Sequence, residues 1–395
     1  NAFDSGVKCL YIPEGTYKIS NTIVFTQQDG RLYGAGQNSI IKTSGAGGYD
    51  ALKIYNAGFV TFENFAIMRG ATFVATDAGL TLEDCSRSTF NDLRIGQSGQ
   101  SFGRAINAFV GNNIINQFRG CMMNYNDVGF YRLGNAVQVY GGEIQGGLIG
   151  IAHCELDSNN DPVLTDGAAG VYGQAALIDG VTIEGQANNS GVAYGVFVAA
   201  GQNMPAIRRC YFEQIGKLSG GFSVDGVAIQ VGYCTTGGTQ VFAGEISSNY
   251  FAQCPIAIKF GRAEAICIFG NYHASSVPTA YFIDATVGSA GTTGQSAAGS
   301  SGAIFNNYVF NNNTLLDPSS KVLNGYIAAI AGSGDRYGSP TIKQALTFNY
   351  APVMVIGAEC PPTTAASVGN NVVFTDSGTG KLSYKDGSGV VHALY

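Results

Sequence analysis

A ten-residue pattern returns nine times along this chain, with two apolar positions kept and the others changed, and it restricts the fold more than any other feature. Its clearest copy is residues 137–146 (VQVYGGEIQG). Earlier copies are 60–69 (VTFENFAIMR), 88–97 (STFNDLRIGQ) and 116–125 (NQFRGCMMNY). Later ones are 176–185 (ALIDGVTIEG), 205–214 (PAIRRCYFEQ), 244–253 (GEISSNYFAQ), 266–275 (ICIFGNYHAS) and 302–311 (GAIFNNYVFN). Aligned without gaps, position three reads Phe62, Phe90, Phe118, Val139, Ile178, Ile207, Ile246, Ile268, Ile304. Position eight reads Ile67, Ile95, Met123, Ile144, Ile183, Phe212, Phe251, His273, Val309. The residues around position eight alternate with period two, as in a strand.

Successive copies start 28, 28, 21, 39, 29, 39, 22 and 36 residues apart. A floor near 21 with a variable excess describes a coil of fixed circumference carrying loops of different length, which is a solenoid of β units. Composition agrees. The 395 residues include 56 glycines and only 12% charged residues, against a usual share of about 25%. Stacked strands with tight corners tolerate that balance, whereas surface helices need Lys, Glu and Arg. A net charge of −6 argues against nucleic acid, whose phosphates require a basic face. No run approaches the ~18 apolar residues of a membrane span, and no partner membrane is expected.

Nine cysteines and three histidines are dispersed, with no CxxC pair, so no metal site and no cofactor are expected. Cys121 and Cys210 fall at position six, facing inward as small hydrophobes. The glycosylation-type triplets at 188–190 and 312–314 read as chance matches.

The first 45 residues are short strands between Gly and Pro turns. Gly34-Ala35-Gly36 follows a strand but opens no helix, so it lacks the dinucleotide fingerprint. The succession Ile12-Pro13-Glu14-Gly15-Thr16-Tyr17, Ile19, Ile23, Phe25, Leu32, Gly34-Ala35-Gly36, Ile40 resembles the opening coils of the pectate-lyase-like right-handed β-helices. In particular it is similar to those of bacteriophage tailspikes and capsular polysaccharide depolymerases. The resemblance implies an all-β, right-handed parallel β-helix, a place on the phage tail at the host surface, and a bacterial capsular or lipopolysaccharide as partner. It also implies an upstream capping and virion-attachment segment.

The repeat fades near residue 315, which divides the chain into a β-helix over 1–315 and a β-rich C-terminal domain over 316–395. The end forms two strands around Asp386-Gly387. An isolated hairpin is marginal in water, so sister chains are expected to complete it. Its sequence is similar to the ends of phage tail fibres, which supports a homotrimer. Long insertions are expected at 152–173, 186–204, 216–239 and 275–301, the last rich in Gly, Ser, Ala and Thr. Position six turns to Asn249, Asn271 and Asn307, which suits an asparagine ladder along the axis.

Positions seven and nine share one outward face. Glu143 sits at seven, and Gln145, Glu184 and Glu213 sit at nine. Tyr211, Tyr250, Tyr272 and Tyr308 follow at seven. Coils about 4.8 Å apart make Glu184 and Glu213 neighbours, with Glu143 one coil away. Glycoside hydrolysis needs one carboxyl that keeps its proton and one that stays ionised, and crowding like charges separates the two. Tyrosines offer flat faces for sugars. Asp179, placed on the strand of Glu184, and Arg208, beside that of Glu213, complete the expected rim, and Arg208 suits an acidic sugar.

The plain alternatives are that the acids are solvated surface, the tyrosines a trimer contact, and Asp157, Asp161 and Asp166 turn formers. His153 and His273 read as incidental. Glu184 with Glu213 fits the short carboxylate spacing of retaining enzymes and Glu143 with Glu213 the long spacing of inverting ones. Three functions stay open: an endo-acting hydrolase, a lyase working through Arg208, Arg209 and Tyr211, and a non-catalytic receptor-binding spike.

Overall fold

The computed structural model describes residues 7–44, 48–70, 74–163, 174–187, 191–199, 205–218, 221–222, 226–233, 241–260, 263–264, 266–283, 301–305, 307–310, 314–316, 324–328, 331–333, 372–376, 378–379 and 381–393. Among them there is no helix. The chain visits three parallel sheets in strict rotation. The first has twelve strands from Cys9–Ile12 to Asn324–Ala328, the second twelve from Gly15–Ile19 to Ala331–Ser333, and the third eleven from Ile23–Phe25 to Thr314–Leu316. Each strand of these sheets therefore pairs with its counterpart one coil away, and the winding is that of a right-handed parallel β-helix. Among the described residues nothing shows a trimer.

The ten-residue unit supplies two of the three strands. Positions two to four form the first-sheet strand and seven to nine the second-sheet strand, as in Leu177–Asp179 and Thr182–Glu184. Between them position five holds a left-handed residue: Asn64, Asp92, Gly120, Gly141, Gly180, Arg209, Ser248 and Gly270 all have positive φ. That corner swings the chain from one sheet to the next while positions three and eight both point inward. The register matches the gap-free alignment residue for residue, for example Phe90↔Phe118 and Ile183↔Phe212.

Position three becomes a ring stack, with Phe90 and Phe118 4.5 Å apart at 12°. Position eight does the same, with Phe212 and Phe251 5.2 Å apart and His273 continuing the stack 5.0 Å beyond Phe251. Such pairs add about 0.5–1.5 kcal/mol each beyond area burial. His273 is fully enclosed, and burial lowers its pKa to about 3. His153 is buried too, its Nδ1 accepting from the Leu133 amide at 3.0 Å.

Position six carries the expected ladder. Asn249 Nδ2 donates to Asn271 Oδ1 and Asn271 Nδ2 to Asn307 Oδ1, both at 3.0 Å. Each acceptor also takes the backbone amide of the coil before it, so corner amides that a strand would leave unpaired are satisfied. Cys121 and Cys210 occupy the same position in other coils, buried, with burial pushing each thiol up to about 12.

Two expectations change. The spans anticipated as long insertions are not loops throughout, because each contains a third-sheet strand: Ile149–His153 enters the first, then come Ala193–Ala199, Gly226–Tyr233 and Thr279–Ile283. The stacking also runs past residue 315. Asn324–Ala328 pairs with Ser301–Phe305, and Ala331–Ser333 with Tyr308–Phe310. Residues 324–328 and 331–333 thus continue the repeat, disguised because Gly332 stands where most other copies have an apolar residue at position eight.

The chain divides into compact units 1–349 and 350–395. In the second, Val372–Thr375, Leu382–Lys385 and Val391–Ala393 form an antiparallel sheet. Asp386 shapes its turn, accepting from the amides of Ser388 and Val390 at 3.0 and 2.8 Å. The strand expected at 352–356, both glycosylation-type triplets in part or whole, Asp166 and the 284–300 segment lie outside the described residues.

Candidate functional site

The outward face of the second sheet gathers most of the residues singled out from sequence. Strands Glu143–Gln145, Thr182–Glu184, Tyr211–Glu213 and Tyr250–Ala252 are consecutive neighbours there. Glu184 stands opposite Glu213, Gln145 opposite Glu184, and Glu143 opposite Thr182. The inward residues between them, Ile144, Ile183 and Phe212, are sealed in the core. This anchoring fixes the outward side chains by alternation.

Each central carboxylate is held from its outer side by an amide. Gln145 Nε2 donates to Glu184 Oε1 at 2.9 Å, and Gln253 Nε2 donates to Glu213 Oε1 at 3.0 Å. Tyr211 donates its hydroxyl to Glu213 Oε2 at 2.8 Å, and that bond raises the Tyr211 pKa to about 12. Glu184 is raised above its ordinary value, first by desolvation and then by the charges of Glu143 and Glu213, with Gln145 opposing. The pair is therefore asymmetric: one carboxyl inclined to keep its proton, the other with both oxygens occupied as acceptors.

Beyond the acids the tyrosines form a continuous aromatic wall. Tyr211 and Tyr250 lie 5.2 Å apart at 9°, and Tyr250 and Tyr272 5.0 Å apart at 7°. Tyr308 pairs with Tyr272 in the backbone register. Tyr250 is exposed, so the wall presents ring to solvent. Gln253, at position ten, was missed in the sequence because its side chain reaches back across strands, and no periodicity marks that.

Asp179 is elsewhere. It belongs to the first sheet rather than to the strand of Glu184, because Gly180 with φ 69° turns the chain between them. It is buried, and Arg208 and Arg209 both bind it, Arg208 Nε at 3.1 Å and Arg209 Nε at 2.6 Å. The hydrogen bond from Arg209 is the main cause that holds its carboxyl below the usual range. Arg208, opposite Asp179 on the first sheet, is likewise committed to that ion pair and not aligned with the carboxylate face.

The segment after His153 lies away from this face. Its described part packs on the third sheet, where Cys154 and Leu156 join Val128, Tyr131, Ile149 and Phe197 in a separate apolar cluster. Asn160 pins it there, accepting from Arg104 Nε at 3.0 Å and donating to the Ala75 carbonyl at 2.7 Å. Asp157 forms its turn, accepting from the amides of Asn159 and Asp161 at 2.7 and 3.0 Å. Among the described residues no group of three or more His, Cys, Asp or Glu is arranged to hold a metal ion.

No family model matches the chain, and no curated protein matches it. Several solved structures are similar in fold. ORF18 of Geobacillus virus E2 shares 16% identity over 98% of this chain and 78% of its own, with a TM-score of 0.39. The tailspike protein 3 of Bacteriophage CBA120 shares 12% over 100% and 65%, with a TM-score of 0.38. The alginate lyase from Paenibacillus sp. str. FPU-7 shares 11% over 82% and 92%, with a TM-score of 0.43. At these identities the likeness is one of fold alone, and the chemistry of the carboxylate face is read from its own residues. The chain is a parallel β-helix, and the structures it is similar to include a phage tailspike protein and an alginate lyase.

Proposed function

We propose that the protein is an endo-acting glycoside hydrolase of a phage tailspike, cleaving a bacterial surface polysaccharide laid along the second sheet. The observation that carries this reading is the asymmetric pair Glu184 and Glu213, in register on adjacent strands and continuous with the Tyr211–Tyr250–Tyr272 wall. Glu184, raised in pKa, is the general acid. Glu213, oriented by Tyr211 and Gln253, is the nucleophile. Glu143 adds the charge that helps Glu184 hold its proton.

Strands about 4.8 Å apart suit the short carboxylate separation of roughly 5–5.5 Å that goes with retention. In the first step a Glu213 oxygen bonds the anomeric carbon as the glycosidic C–O bond breaks, and the leaving oxygen takes the Glu184 proton. In the second, Glu184 takes a proton from water, whose oxygen displaces Glu213 and restores both groups. The tyrosine rings stack on sugar faces along the groove.

Elimination is less well supported, since Arg208 and Arg209 are engaged by Asp179 and the Tyr211 phenol is pushed away from a basic role. Assembly as a homotrimer on the virion tail belongs to the same proposal. Incubation with purified capsular polysaccharide should release discrete oligosaccharides without the ultraviolet absorbance of an unsaturated sugar. Glu184→Gln and Glu213→Gln should each abolish release while binding persists. Full activity in both variants overturns the site; unsaturated products overturn hydrolysis; binding without products supports a non-catalytic spike.

A further inference from the structure

The carboxylate face has a second charged region at its other end. Lys18 and Lys42 stand directly opposite each other on the first two strands of the second sheet. Lys42 is opposite Met68 and Arg94 opposite Ala66, so these cations occupy the same positions nine and seven that carry the acids farther along. Like charges directly opposite on a sheet destabilise it. Arg31, Lys53, Arg69, Arg208 and Arg209 each meet a carboxylate. Among the described residues, Lys18, Lys42 and Arg94 meet none. Arg94 also keeps a buried Nε without an acceptor.

The second sheet therefore presents, in axial order, unpaired cations, three carboxylates and an aromatic wall. Arg94 lies three strands from Glu184, about 14 Å, and Lys42 five strands away, about 24 Å, at 4.8 Å per strand. A polysaccharide placed across Glu184 and Glu213 reaches that region several sugars from the cleaved bond.

We infer that Lys18, Lys42 and Arg94 form an anion subsite that binds carboxylate, sulfate or phosphate groups on a polysaccharide seated along this face. The inference rests on the groove proposed above and adds the charge of its substrate and the direction in which it lies. Charge neutralisation by ammonium and guanidinium groups supplies attraction that salt screens, and the Arg94 fork adds bidentate geometry. The anionic sugars lie on the cation side, away from Glu143, Glu184 and Glu213, which would repel them; neutral sugars stack on the tyrosines.

The test uses the whole chain carrying Glu184→Gln, so that no probe is cleaved, with polygalacturonate and dextran sulfate as anionic probes and dextran as the neutral one. Lys18→Gln, Lys42→Gln and Arg94→Gln combined should weaken binding of the anionic probes at least tenfold and flatten its salt dependence. Dextran binding should not change, and the melting temperature should not fall, because the opposed Lys18 and Lys42 charges are removed. Single Lys→Arg replacements should restore binding, since charge rather than shape is required of them. Unchanged affinity for the anionic probes in the triple variant overturns the inference, as does failure of the parent to bind either. The reading of the groove is judged separately: release of oligosaccharides from a neutral capsule by the unmutated chain would keep the hydrolase and remove the subsite. Loss of anion binding with no cleavage of any capsule would do the reverse.

Discussion

Glu184 and Glu213 face each other across one strand interval of the second sheet, each held from its far side by a glutamine, Gln145 on one flank and Gln253 on the other. Two like charges are thereby kept side by side, which a stability-optimised surface would avoid. Such local costs gather at functional sites. Replacing Glu184 by Gln should therefore stabilise the protein at neutral pH while removing activity. The raised pKa means the folded state binds this proton more tightly than the unfolded chain. Wild-type stability from this group is complete below the unfolded value of about 4.3 and is lost as pH rises. The gain in Glu184→Gln should be on the order of 0.5 kcal/mol at pH 7 and vanish near pH 4. Thermal melts at both pH values, with turnover of capsule expected to fall about 10²–10⁴-fold, check the two halves together.

His273 makes the opposite contribution. Its folded pKa near 3 lies below the unfolded value of about 6.5, so the unfolded chain binds the proton first as pH falls. Stability should decline through this window, by about 2 kcal/mol at pH 5. His273→Phe preserves the stack on Phe251 and should make the melting temperature between pH 7 and 5 markedly less pH-dependent than in the wild type. An unchanged slope would show that another group governs acid sensitivity.

Arg69 is buried without exposure, and its Nη2 lies 2.7 Å from Asp77 Oδ2. Desolvation raises the Asp77 pKa, against the lowering effect of Arg69. Arg69→Met strands a buried carboxylate and should cost about 3–5 kcal/mol. Adding Asp77→Leu should recover most of it. Denaturant midpoints of the two variants decide the matter, and an equally unstable double variant would point to lost packing on Tyr49 and Phe102 instead.

Ile115 is exposed and sits at φ 58° at the corner before the 116–125 unit. A β-branched residue in the left-handed region is strained by about 1–2 kcal/mol. Ile115→Asn, which tolerates that conformation, should raise stability by about 1 kcal/mol. Ile115→Val keeps the branching and should not.

The sequence by itself determined the coil, its register and the row of acids. Period-two alternation leaves a strand one choice of inward face, and the apolar columns from Phe62 to Ile304 and from Ile67 to Val309 make a one-residue slip too costly. What only the tertiary structure decided was everything without a fixed apolar spacing or with a corner in between. The third sheet went unread because its apolar, buried row, Leu80, Ile106, Phe130, Ile151, Val196, Ile229 and Ile258, follows the ten-residue unit at a distance that varies from coil to coil. Connections of unequal length break the alignment, so that row leaves no fixed spacing to detect. Asp179 was assigned to the carboxylate face because sequence distance does not register the left-handed turn at Gly180. Gln253 was missed because a hydrogen bond across strands depends on side-chain direction, which the backbone period does not encode.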